Sequence, residues 1–188
     1  MIDAARIDAV PVGVSLDAVV VGVDPAATSR EGSAETGIVV VARGSDGDGY
    51  VLADDSVHGT PNEWGHAAVS AFDVWGADHV APETNNGGEM VTSTLRTVRP
   101  TLPIEPVWAS RGKTTRAEPV SALYAQGRMH HVGTFAALED QMVGWVPGLP
   151  SPDRMDALVW AATDVMLGFT PGLDPTFDYA RAFAEGGI

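Results

Sequence analysis

Four acidic residues stand at places where side-chain chemistry can be built. Asp24 closes the apolar run 18–23 (AVVVGV), and Glu83 closes a second short segment, 78–82 (DHVAP). Asp153 and Asp156 lie three apart at the head of a segment with helical apolar spacing, so a helix would put both on one face. In an open α/β sheet the functional crevice lies beyond the carboxyl ends of the strands, so acids ending two neighbouring strands meet there. Three or four carboxylates brought together repel one another and partly protonate unless a cation joins them. Mg2+ and Mn2+ take oxygen ligands, and two such ions about 4 Å apart can activate a water and stabilise the leaving oxygen of a phosphodiester. Each acid also admits a plainer role. Asp24 before Pro25 can cap a turn, Glu83 can pair with an arginine, and Asp153 can favour a helix dipole.

The surrounding pattern supplies elements to carry these groups. Residues 18–23 read as a strand buried on both faces, and 37–42 (GIVVVA) and 50–53 (YVLA) as two more, joined through the turn SDGDG. Thr60-Pro61-Asn62-Glu63 is a capping-box start with proline at the first helical position. Behind it Trp64, Ala68, Ala71, Phe72 and Trp75 form one apolar face, ended by Gly76. Residues 78–82 predict a fourth strand and 104–108 a fifth. Helices are expected over 90–98, 119–126 and 135–145, with 110–115 a polar, basic loop. A last helix opens at Ser151-Pro152 and carries the stripe Met155, Val159, Ala162 and Met166. The expectation is an α/β domain over 18–167. Its mixed five-stranded sheet has three antiparallel strands plus parallel ones, and helices cover both faces. Residues 1–17 read as a leader or linker remnant and 168–188 as a tail.

With a formal net charge of −14, the 188-residue chain argues against a polyanionic partner at first sight. The distribution says otherwise for one segment. Between residues 94 and 128, Arg96, Arg99, Arg111, Lys113, Arg116 and Arg128 face only Glu105 and Glu118. Such a segment can hold a nucleic-acid backbone, or it can be a solvated patch. Arg111, Lys113, Arg116 and Arg128 are the candidate DNA contacts. There are no cysteines, which excludes disulfides and thiolate metal sites. No run is long enough to span a bilayer, and the apolar stretch 10–23 lacks a basic n-region and contains Asp17. His130-His131 looks like a metal pair, but adjacent strand residues point to opposite faces. The five tryptophans read as packing.

The strings VVVGVDPA, APETNNGGEMV, SRGKTTRAEPVSALYAQGRMHHVGTFAALEDQM and SPDRMDALVWA occur in an order that resembles the C-terminal nuclease domain of tailed-phage terminase large subunits. The likeness runs from about Val19 to Met166. It implies an RNase H-like fold, two divalent ions, and cleavage of concatemeric viral DNA during packaging in the host cytoplasm. Carried over by position, Asp24, Glu83 and Asp156 would be the catalytic metal ligands, with Asp153 an accessory one. The implied partners are double-stranded viral DNA, the terminase ATPase domain, the small terminase subunit and the portal protein. An ATPase half would need a P-loop. The only look-alike, Arg111-Gly112-Lys113-Thr114, has Val107 where that motif needs glycine or alanine. The chain is therefore expected to be an excised or separately encoded nuclease domain. Two other functions fit the same residues: a non-catalytic module that guides DNA or docks on the portal, and another RNase H-like nuclease such as a junction resolvase.

Overall fold

The computed structural model describes residues 5–25, 35–85, 88–108, 113–146, 149 and 152–168. Among these the strands are β1 (Ala5–Ile7), β2 (Leu16–Asp24), β3 (Glu35–Gly44), β4 (Gly49–Asp54), β5 (Val57–His58), β6 (His79–Pro82) and β7 (Met129–Val132). The helices are α1 (Pro61–Trp75), α2 (Gly88–Val98), α3 (Lys113–Ala125), α4 (Ala136–Gly144) and α5 (Asp153–Leu167). The sheet order is β1-β7-β4-β3-β2-β6, with β5 paired to β3 beyond β4. β3 runs antiparallel to β2, β4 and β5, and the remaining pairings are parallel. The mixed sheet with helices on both faces is as expected, but it has seven strands, not five. β1 and β7 are three and four residues long, and β7 is half polar (MHHV), so neither carries an apolar run. The expected fifth strand, 104–108, makes only two isolated bridges, Ile104 to Val80 and Val107 to Glu83. Glu105 and Val107 donate to the Val80 and Pro82 carbonyls, but Pro82 has no N–H to return to the segment between them, so the pairing stays broken. β1 also takes three residues expected to lie in a leader into the sheet, beside β7.

The long strands obey their pattern. Alternation along β2 sends Val19, Val21 and Val23 toward one layer, and Val20 toward the other. The first layer is α1 and α2, where Trp64, Ala68 and Leu95 are buried. α1 begins at the expected capping box: Thr60 Oγ1 accepts from the Glu63 N–H, and Glu63 accepts from the Thr60 N–H at 2.7 Å. It ends at Gly76 in the left-handed conformation. The second layer is α3, α4 and α5. α5 is buried around nearly its whole circumference from Met155 to Ala162, well beyond the predicted stripe. It lies between the sheet and the other two helices, so it has no solvent face to keep polar.

α3 begins at Lys113, six residues before the expected start, and Pro119 lies inside it. Lys113 is therefore helical, not part of a loop, and Arg116 stands in the first turn. Proline there removes one hydrogen bond but does not end the helix.

Candidate metal centre

Parallel register builds the first half of the site. Val23 pairs with Pro82, and the Glu83 N–H donates to the Val23 carbonyl at 2.8 Å. Asp24 and Glu83 are thus the next residues on two adjacent strands, side by side at their carboxyl ends. Both continue the face that carries Val20 and Ala81, which is the face covered by α5.

The second half depends on two glycines. A Cβ at Gly22 would collide with the carbonyl of Ala157, and one at Gly37, the β3 partner of Asp24, with the carbonyl of Asp153. Bare backbone at these two places lets the first turns of α5 lie directly on β2 and β3. Arg154 fixes the helix end laterally, donating to Asp54 Oδ2 at 2.5 Å and to Glu35 Oε1 at 2.6 Å. Asp156 is thereby delivered to the other two acids.

The three carboxylates have oxygens within 4.8 Å of one another, and each residue is no more than 7% exposed. Burial raises the Asp24 carboxyl first, and the charges of Glu83, Asp156 and Asp153 and a hydrogen bond to Glu83 add to it, pushing it up to about 9. At neutral pH the cluster without a cation holds a proton where a cation would sit. The donor set is all oxygen and strongly anionic, which fits hard divalent ions such as magnesium or manganese. Asp153, one turn earlier, contributes charge at Asp24 but does not belong to the trio.

Trp160 does more than pack. Its indole N–H donates to Glu83 Oε2 at 3.1 Å, orienting one acid of the trio. Asp156 and Trp160 are four apart, so helical spacing alone places them on one face. The Arg116 guanidinium lies over the same indole, 4.4 Å from the ring centre, and its Nε and Nη1 are buried without a hydrogen-bond partner. Arg116, one of the four candidate DNA contacts, is thus brought to the site through Trp160. Arg128 is not: it donates to the Gly47 carbonyl at 2.8 Å and lies beside Asp48, in the turn joining β3 to β4 at the opposite end of the sheet. Arg111 and the tail after residue 168 lie outside the described residues, as does the side chain of Lys113. His130 and His131 point apart, the first toward Asp48 and the second toward Tyr124 and Glu139. Among the described residues no helix is long and apolar enough to cross a membrane.

Comparison with known proteins agrees with this fold. Curated sequences contain no significant match. Among solved structures, the large terminase nuclease of the thermophilic phage G20c with bound cobalt superposes with a TM-score of 0.64, at 11% identity over 85% of this chain and 92% of that one. The large terminase of a second thermophilic bacteriophage gives 0.63, at 10% identity, over 87% of this chain and 43% of that one. The yeast mitochondrial Holliday junction resolvase Ydc2 gives 0.51, at 11% identity over 78% of each. At these identities the likeness concerns the RNase H-like fold. The family described as Terminase RNaseH-like domain matches residues 21–165, most of the chain and all three clustered acids, and the chain belongs to that family.

Proposed function

We propose that this chain is a divalent-metal-dependent DNA endonuclease that cuts concatemeric viral DNA as a genome is packaged. The observation that carries this reading is the buried trio Asp24, Glu83 and Asp156, where burial first, and then mutual repulsion, holds Asp24 up to about 9 and asks for a cation. Asp24, Glu83 and Asp156 would hold two Mg2+ or Mn2+ ions, with Asp153 within reach as an accessory ligand. When bound, such ions supply charge neutralisation, water activation and stabilisation of the leaving oxygen. The protein's own part is positioning. Trp160 keeps Glu83 oriented, and Gly22 and Gly37 let Asp156 approach.

DNA enters along the start of α3, with Arg111, Lys113 and Arg116 contacting phosphates. Two donors of Arg116 are buried without an acceptor, and a backbone phosphate would satisfy them once the guanidinium turns outward from Trp160. Because the chain is strongly acidic overall, this grip is weak and salt-sensitive alone. A packaging ATPase, the small subunit and the portal would supply and hold the substrate.

The test is cleavage of supercoiled plasmid, linear duplex and a four-way junction in Mg2+ or Mn2+, by the wild type and by Asp156→Asn. The expected result is nicking and linearisation of plasmid that the variant has lost. Undiminished cleavage by Asp156→Asn would overturn the metal centre. A strong preference for the junction would assign the chain to the resolvases whose fold it shares. DNA bound but never cut would make it a guiding module.

A further inference from the structure

β6 and α5, which lead to Glu83 and Asp156, carry a second set of metal-ligating groups toward their other ends. His79 opens β6, Asp164 lies two turns beyond Asp156 on α5, and Glu105 comes from the segment that bridges β6 on its outer edge. One nitrogen, one aspartate oxygen and one glutamate oxygen lie within 4.8 Å of one another. Both carboxylates address the same imidazole nitrogen. His79 Nε2 is 2.9 Å from Asp164 Oδ2 and 3.8 Å from Glu105 Oε2. A proton on Nε2 serves Asp164 and leaves Glu105 beyond hydrogen-bond distance, whereas a cation could serve all three.

The charge balance points the same way. Asp78 precedes His79, and its charge also acts on the ring while its Oδ2 accepts from the Val19 N–H at 2.9 Å. Three carboxylates therefore surround one imidazole, and protonating the ring leaves the group negative. His79 and Asp164 are only 13% and 11% exposed, so water screens that excess poorly. Glu105, 48% exposed, leaves a way in from solvent.

We propose that His79, Glu105 and Asp164 form a second cation site, taking zinc-type ions in preference to magnesium, that locks β6 to α5. Selectivity follows from the imidazole, a ligand suited to zinc and cobalt, which the all-oxygen trio lacks. Three protein ligands leave a position for water, and modest closure brings the donors to the roughly 2.0–2.2 Å of zinc–nitrogen and zinc–oxygen bonds. Four residues of strand and eight of helix separate this site from the trio, about 12–13 Å along either element. The clamp acts as a positioning device, holding the far ends of the two elements that present Glu83 and Asp156.

The experiment uses the full chain carrying Asp24→Asn and Asp156→Asn, which silences the trio, so the outcome is independent of nuclease activity. Zinc is titrated calorimetrically in excess magnesium while the histidine side-chain nitrogens are followed by NMR. One zinc equivalent should bind, shift the Nε2 resonance of His79 and raise the melting temperature. Adding Glu105→Gln should weaken binding by at least about tenfold, the loss typical even of removing an outer-shell partner. His79→Gln should abolish it. If His79→Gln fails to fold, the half-exposed Glu105 decides. Absence of zinc binding, or unchanged affinity in Glu105→Gln, overturns the site.

Discussion

Asp24 and Glu139 are equally buried acids on the same side of the sheet, and they sit at opposite extremes of the carboxylate range. Asp24 stands among other acids and is pushed up to about 9. Burial would raise Glu139 as well. Hydrogen bonds from Arg6, His131 and the Phe135 N–H outweigh it, bringing Glu139 down to about 2. Those bonds belong to a closed network: Arg6 pairs with both Glu139 oxygens, His131 Nδ1 lies 3.1 Å from Glu139, and the Tyr124 hydroxyl is 2.7 Å from His131 Nε2. Burial lowers His131, so the ring stays neutral, donating to Glu139 and accepting from Tyr124. Every charge there is answered from within the chain, and the result fastens β1, β7, α3 and α4. At Asp24 the deficit is left open. A buried acid whose charge is balanced by its own protein is architecture, and one surrounded by like charge, as Asp24 is, is a candidate for binding something external.

Mutation should separate the two regions sharply. Asp24→Asn is expected to cost at least about a hundredfold in metal-dependent cleavage. It should also stabilise the metal-free protein at neutral pH by about 1 kcal/mol, or about 2–4 °C in melting temperature, because a neutral amide takes up no proton on folding. Glu139→Gln should do the reverse, costing about 1 kcal/mol in chemical denaturation, because its ionic partner Arg6 is 56% exposed and water screens the pair, with cleavage by the folded protein unchanged. If Asp24→Asn destabilises the fold instead, the contrast fails.

Titration gives the same contrast a sign. Between about pH 4 and about pH 9 the folded Asp24 holds a proton that the unfolded chain has released, so metal-free stability from this group falls as pH rises. Glu139 behaves oppositely: its contribution is complete above its unfolded value of 4.5 and is lost as pH falls toward about 2. Urea melts across pH should show the decline between about pH 4 and pH 9 disappear in Asp24→Asn, and the decline below about pH 4.5 shrink in Glu139→Gln.

Smaller effects probe the surroundings of the trio. Trp160→Phe keeps the packing but deletes the donor to Glu83, and should lower cleavage about tenfold at limiting Mn2+, with part of the loss recovered at saturation. Arg116→Ala should weaken binding of duplex DNA uniformly across sequences and reduce the slope of log affinity against log salt by about 1, measured by fluorescence anisotropy.

The acids of the open region were legible in sequence because each follows a feature that pattern reading detects. Asp24 and Glu83 end apolar runs, and Asp156 follows a proline-led helix start by helical spacing. The closed region was illegible. β1 is three residues long, β7 is half polar, and the partners Arg6 and Glu139 are 133 residues apart, so no local periodicity joins them. Pro119 misplaced the start of α3, because proline favours a first helical turn and is only tolerated further in. Arg128 belongs to the basic segment by sequence, yet the pairing of β4 with β7 carries it to the far end of the sheet. Trp160 lay between the two cases. Its spacing from Asp156 was visible, but its hydrogen bond to Glu83 depends on the neighbouring strand.

The seat that Gly22 and Gly37 leave for α5 has a consequence for the order in which the trio is assembled. Two of the three acids are complete once β6 has been synthesised, but the third arrives on the last described helix, after the rest of the sheet exists. A nascent or truncated chain ending before Asp156 lacks the helix that covers Gly22 and Gly37 and holds only two acids of the trio. Under the proposed function, competence would switch on late and in one step, when α5 packs onto β2 and β3, and a partly made chain could not nick DNA.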